Sequence, residues 1–567
     1  MVATGHRPDG RLEFQCDGAT VDVECEAGDS LLNVLRERLG IVSVKDGCAP
    51  QGQCGCCTVL VDGEPRVACV TPIERVAGRA VTTLDGLDGD VRDRLVSAFV
   101  ATGASQCGFC TPGILVRAAA LEARKKTTRT DVDRALAAHL CRCTGWQTIY
   151  EALDLAVSDA GPAPTSRSLD AAARRAELEG GVLQRVGPEV PGGDAGFADD
   201  TAPRDALVAV PAANGEWVVA ETLAGARELA GKVQGRRTTV DERPPLPLPP
   251  LPEGGVRLAT SWVEPAYLEP DASWCLPGGE PASPLANGGA FGGKASSMAP
   301  AIARRLANEH GRAVRVVYSR EDCVRLGPKR PPIAASAVYR DGKVHIEGTY
   351  AGGDGFFRGF RSPYVNSGGH FTLARLDRPL VGTVRARGAE KVVLIEGALH
   401  EAGIDRTELA SHARVASVLL DATGYPGYDT EALAGARVHV GTTGAIERVE
   451  VRVAAGDPLD EVVLRSYCIG AAHMALGWVC SEGLAVDPDT GEVLDLTIRS
   501  FGVIRPARTP PIEVTIVDDP LPPQARASDA VFAAVAAATW NAITEYEGTR
   551  PEVWPARGTA AARALRR

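Results

Sequence analysis

The chain has no basic stripe, no apolar run of membrane length and no apolar stretch behind a basic start, and each absence removes a class of function. Its formal net charge is −11, with 61 Lys and Arg against 72 Asp and Glu, whereas phosphate binding needs Lys and Arg gathered on one face. Nucleic acid is therefore not an expected partner. No stretch approaches the roughly 20 apolar residues that cross a bilayer, so no membrane span is expected. The first ten residues are polar and lack a secretory pattern, and the expected compartment is the cytoplasm. A length of 567 residues, 45% hydrophobic and 23% charged, fits a soluble globular protein of three or four domains.

What the chain does have is cysteine in groups. Eleven of its fifteen cysteines lie before residue 145. Without an export signal, clustered thiols read as metal ligands or redox groups before disulfides, because cytosolic thiols are kept reduced. The first group is Cys48, Cys54 and Cys57 in GCAPQGQCGCCT, followed by Cys69. A plant-type [2Fe-2S] loop reads C-x4-C-x2-C with a remote fourth cysteine; here the first interval holds five residues. Gly47, Gly52 and Gly55 let such a loop absorb the insertion. Cys57 keeps the C-x2-C pairing with Cys54, which leaves Cys56 as a bystander thiol. A structural zinc site is the competing reading.

Around this loop the pattern is that of a β-grasp ferredoxin domain over residues 1–80. Alternation at Leu12–Gln15 and Val21–Cys25 predicts a hairpin turning at Asp17 and Gly18. Gly28, Asp29 and Ser30 then precede a helix from Leu31 to about Leu39, which Gly40 ends. Thr58–Gly63 predicts a further strand and turn, and Cys16 and Cys25 read as buried strand residues.

The second group pairs QCGFCTPG (Cys107, Cys110) with CRCTGWQ (Cys141, Cys143), a C-x2-C and a C-x-C separated by thirty residues. Helical stretches at Val91–Ala101, Gly113–Arg124, Thr130–Ala138 and Gln147–Val157 flank the pairs. The thiols are thus expected at helix ends in a four-helix bundle over 81–160, where free N–H groups stabilise negative sulfur.

This ordered set resembles the iron-sulfur part of the xanthine oxidase, or molybdenum hydroxylase, family over roughly residues 10 to 158. The resemblance implies that Cys107, Cys110, Cys141 and Cys143 bind a [2Fe-2S] cluster nearer a molybdopterin. It implies that Cys48, Cys54, Cys57 and Cys69 bind the one nearer the outgoing acceptor, so that electrons run from the second group to the first. Residues 161–204, rich in Gly, Pro and Ala, read as a linker without room for a flavin domain. The proline-rich run from Arg243 to Pro252 reads as a stiff connector in preference to a polyproline ligand.

Over 205–567 a weaker resemblance to the molybdopterin-binding subunit returns, at EPAYLE (264–269), GGAFGGK (288–294), SRED with GPKR (319–330) and VRARGA (384–389). Cofactor contacts would come from Gln106, Gly288, Gly289 and Phe291. Only nineteen residues separate Leu268 from Gly288, where the family has several dozen. Its arginine loop stands as Arg385 to Gly388, its pterin loop is not recognisable between Leu419 and Val463, and Asp529 occupies the place of the catalytic Glu. A shorter carboxylate costs on the order of 10²-fold where positioning carries catalysis, so Asp529 is a weak catalytic candidate.

The expectation is an α+β, multidomain iron-sulfur chain fused to a truncated, non-catalytic molybdopterin-subunit-like region. It would pass electrons from a molybdopterin subunit to an FAD subunit in a hetero-oligomer, with a purine as the favoured substrate. The alternatives are a compact self-sufficient hydroxylase with Asp529 as base, and a non-enzymatic iron-sulfur redox sensor.

Overall fold

The computed structural model describes the chain except residues 1–9, 27, 159–166, 232–241, 289, 352–359, 362–367, 375–384, 386–387, 405–418, 421–431, 488–489 and 567. β1 (Arg11–Cys16) and β2 (Ala19–Glu24) form the hairpin. Asp17 and Gly18 both take positive φ, 50° and 84°, as a two-residue turn matching strand twist requires. Leu12, Phe14 and Cys16 face inward. β3 (Thr58–Val61), β4 (Glu64–Val67) and β5 (Ala80–Thr82) complete a sheet of order β2-β1-β5-β3-β4. Across it, Ser30 caps α1 (Leu31–Asn33), and the chain then widens into a π-helical turn over Val34–Arg38.

The bundle comprises α2 (Gly89–Thr102), α3 (Thr111–Ala123), α4 (Arg129–Leu136) and α5 (Gln147–Val157). Asp88 caps α2, and Gly103 ends it at φ 67°. Residues 161–204 differ from the expected linker, because α6 (Leu169–Gly180) lies within them. Composition hid it, yet Ala172 and Ala176 recur at helical spacing and pack on Val463 and Tyr467. Farther along, Phe197 meets Phe109 edge-on at 5.1 Å, and Asp200 receives the buried Lys45 at 2.5 Å.

Beyond residue 205 the described residues form four further sheets, of four, five, two and three strands. Apolar and small-residue patterning reads as a buried strand over Val314–Tyr318 and helices over Ile469–Val479 and Ala530–Ile543, and the structure has a strand at Val314–Val317 and longer helices at Glu461–Cys480 and Ala527–Glu547. The helix Glu461–Cys480 is long and apolar enough to cross a membrane, but 89% of its apolar window is buried inside the protein, where it serves as a core helix. Its small residues permit close approach: a Cβ on Gly470 would stand 1.8 Å from the carbonyl oxygen of Cys143. Leu246 and Leu248 of the proline-rich run pack on Ala259 and Ala334, which is how that segment is held to the five-stranded sheet.

Candidate functional site

Cys48, Cys54, Cys56 and Cys57 lie on the loop before β3 and Cys69 follows β4; all five are buried. The Cys48 sulfur accepts N–H groups from Gln51 (3.2 Å) and Gln53 (3.5 Å), and Cys57 accepts that of Cys69 (3.4 Å). Thiol contacts link Cys54 to Cys48, Cys48 to Cys69 and Cys69 to Cys57. Hydrogen bonds from Cys54 and then Cys69 pull Cys48 well below the usual thiol range, while the same contacts raise Cys54 and Cys69. Positive φ at Ala49 (42°), Gly52 (70°) and Gly55 (76°) accommodates the inserted residue. Cys56 touches Cys54 from the side of Gly47, so both adjacent thiols face the group.

In the second group Cys110 caps α3, and Cys141 and Cys143 immediately precede α5. Cys143 lies 3.5 Å from Cys107, and Cys110 contacts Cys141. The Cys110 hydrogen bond draws Cys141 down to about 6 and raises Cys110 in return. Among the described residues no three donors converge as around a single ion. The second group's thiols converge in pairs and the first group's four touch in a row, and a four-cysteine [2Fe-2S] centre takes two thiolates per iron. The donor set therefore fits two such centres better than a zinc ion.

The two loops dock directly. Leu140 N–H donates to Cys54 O at 2.9 Å, and a Cβ on Gly113 would stand 2.4 Å from Gly55 O. The C-terminal half locks the second loop. Gln106 donates to Cys143 O (3.0 Å) and Ser466 Oγ (2.9 Å), and Asn287 to Gln106 O and Cys107 O. Arg142, between the paired cysteines, binds Glu482 through two 2.6 Å bonds. The sequence reading missed Asn287, Arg142 and Glu482; the position of Arg142 inside CRC was the available signal.

A molybdopterin fits the described residues poorly. Gln106, Gly288 and Phe291 line one void of about 40 Å³, and Phe291, Arg142, Arg385 and Glu482 line another of about 40 Å³, each room for a few waters. Gly289 lies outside the described residues. Asn287, Ala290 and Phe291 all take positive φ, and the Arg385 guanidinium covers the Phe291 ring at 4.8 Å. Asp529, in the first turn of the helix Ala527–Glu547, stands 3.8 Å from both Arg385 and Arg526.

Residues 83–154 match the model of a [2Fe-2S] binding domain. The nicotinate dehydrogenase small FeS subunit of Eubacterium barkeri is 35% identical over 148 residues, 26% of this chain and 94% of its own length. The xanthine dehydrogenase iron-sulfur-binding subunit of Escherichia coli is 39% identical over 142 residues, 24% of this chain and 88% of its own. The aldehyde oxidoreductase structure from Desulfovibrio gigas shares the fold over 98% of this chain and 100% of its own, with TM-score 0.70 and 15% identity. The chain, an α+β multidomain protein, thus belongs to the molybdenum hydroxylase family of oxidoreductases that includes the xanthine dehydrogenases.

Proposed function

We propose that this chain is the electron-transfer and scaffold subunit of a multi-subunit molybdenum hydroxylase, with residues 1–80, 81–160 and 205–567 as its working parts. The observation that carries the proposal is the pair of four-thiol groups, seven of the eight thiols buried and Cys107 partly so, whose loops touch through Leu140 and Cys54. Cys48, Cys54, Cys57 and Cys69 would hold one [2Fe-2S] centre and Cys107, Cys110, Cys141 and Cys143 the other, each cycling by one electron when bound. The chain's own residues exclude water from the thiols and aim N–H groups at them. Electrons enter from a molybdopterin site on a partner chain and leave toward an FAD subunit.

The closed space around Phe291 and Arg385 favours chemistry on the partner. Relatives carry the names of xanthine, nicotinate and nicotine enzymes, and a purine remains the favoured substrate class. With the partner present, adding xanthine or hypoxanthine anaerobically should bleach the iron-sulfur absorbance. This chain alone should show no bleaching. Bleaching of the isolated chain by substrate would support the compact hydroxylase.

A further inference from the structure

Arg320 is fully buried (0% exposed) and opens the short helix Arg320–Leu326. Its guanidinium donates to four-way neutral surroundings: Gly47 O through Nε (3.2 Å) and Nη2 (2.7 Å), Tyr267 O (2.7 Å) and Leu268 O (2.6 Å). Among the described residues no carboxylate lies within ion-pair distance of it. The acids nearby are engaged elsewhere: Glu264 with Lys329 at 2.8 Å, Asp322 with Arg325 at 2.9 Å and Asp271 with the Tyr267 hydroxyl at 2.6 Å. Other buried cations, including Lys45, Arg142 and Lys294, each face a carboxylate. A buried charge without a counter-ion is strongly disfavoured, so Arg320 needs an anion that protein side chains do not supply.

Gly47 joins the guanidinium to the first thiol group. Its carbonyl takes the guanidinium, and a Cβ on it would stand 2.9 Å from Cys56 Sγ and 3.1 Å from Cys54 Sγ. Arg499 approaches the same loop, donating to Gln53 O at 3.2 and 3.0 Å. In the second group the charge of Arg142, between the paired cysteines, is cancelled by Glu482.

We propose that Arg320, assisted by Arg499, is the electrostatic counter-ion of the centre at Cys48, Cys54, Cys57 and Cys69 and makes it the higher-potential centre of the two. The inference rests on the electron-transfer reading above. A four-thiolate [2Fe-2S] centre gains one negative charge on reduction, so a fixed cation in a low-dielectric interior favours its reduced form. One electron then leaves the second centre, returning it to its diferric state, and reduces one ferric ion of the first to ferrous. No bond or proton moves. Arg320 is thus a positioning residue for charge, and it gives the transfer its direction.

The test is an EPR-monitored redox titration of the full chain carrying both centres, with Cys110→Ser identifying the second signal. Arg320→Met should disfavour reduction of the first centre at least tenfold, 59 mV for a one-electron couple, and change the second less than twofold. Arg320→Lys should restore most of the shift, and Arg499→Met should shift the first centre in the same direction by less. An unchanged first centre in Arg320→Met, equal shifts in both centres, or no rescue by Lys would overturn the inference. Should Arg320→Met not fold, an unchanged first centre in Arg499→Met overturns it instead. Wild-type protein that fails to hold two centres would refute the electron-transfer reading itself, a result visible before any variant is made.

Discussion

The interior of the N-terminal part and the interior of the C-terminal half solve the problem of buried polarity in different ways. In the first, the buried polar groups that matter are thiols, gathered in pairs and supplied with N–H donors, as at Cys48 and Cys57. In the second they are ion pairs. Lys294 meets Glu269 at 2.6 Å, Lys329 meets Glu264 at 2.8 Å and Arg330 meets Glu390 at 2.7 Å, all in the region where the family resemblance places a cofactor. Thiols in pairs are ligands awaiting metal. Carboxylates already matched to cations are structure, and that contrast separates the part of the chain that handles electrons from the part that holds it in place.

The largest effects should come from breaking the first kind of site. Cys110→Ser or Cys143→Ser should erase one [2Fe-2S] EPR signal and leave the other; loss of both would show that the centres do not assemble independently. Cys57→Ala should likewise abolish the first centre while Cys56→Ala leaves its spectrum nearly unchanged. The reverse outcome would mean that the inserted residue has shifted the ligand register.

Next comes the joint between the two interiors. Arg142→Met strands Glu482, whose side chain is 1% exposed, and removing one partner of a buried pair costs about 3–5 kcal/mol. Chemical denaturation should report that loss. The double variant with Glu482→Met should recover much of it, and failure to recover would assign the cost to packing instead.

A pH effect of similar origin belongs to His473, which lies against Gly145 of the second loop. Burial, and after it the charge of Arg142, lowers its pKa to about 3. Below the ordinary value near 6.5 the unfolded chain takes up a proton that the folded chain refuses until about pH 3. Stability is therefore fully present above 6.5 and falls with pH through that window, by up to ~1.4 kcal/mol per pH unit. His473→Leu should lose less stability than wild type between pH 7 and pH 5 in urea titrations. An equal loss in both proteins would remove His473 from the account.

How much of this was legible in the sequence follows from distance along the chain. The cysteine loops, the hairpin at Asp17 and Gly18 and the four bundle helices are local patterns, and each stands within a few residues of its expected place. The helix Leu169–Gly180 was hidden by the Gly, Pro and Ala composition around it, although Ala172 and Ala176 carry helical spacing. Contacts across hundreds of residues were not legible at all. Gln51 reaches Glu321 and Arg142 reaches Glu482, and no periodicity announces either partner. Asp529 was placed by resemblance, but the two arginines that flank it come from distant and adjacent chain alike.

The smallest effect should be at that residue. Asp529→Ala should leave turnover of the assembled enzyme within about twofold, because a residue outside the reacting site removes no transition-state contact. A hundredfold loss in steady-state rate would place the chemistry in this chain.

The most direct measurement is metal content by chain. The complex would be dissociated and its subunits analysed separately for iron, acid-labile sulfide and molybdenum. The division drawn here predicts about four iron and four sulfide on this chain, two per [2Fe-2S] centre, with molybdenum following the partner. One molybdenum retained by this chain in isolation would contradict it.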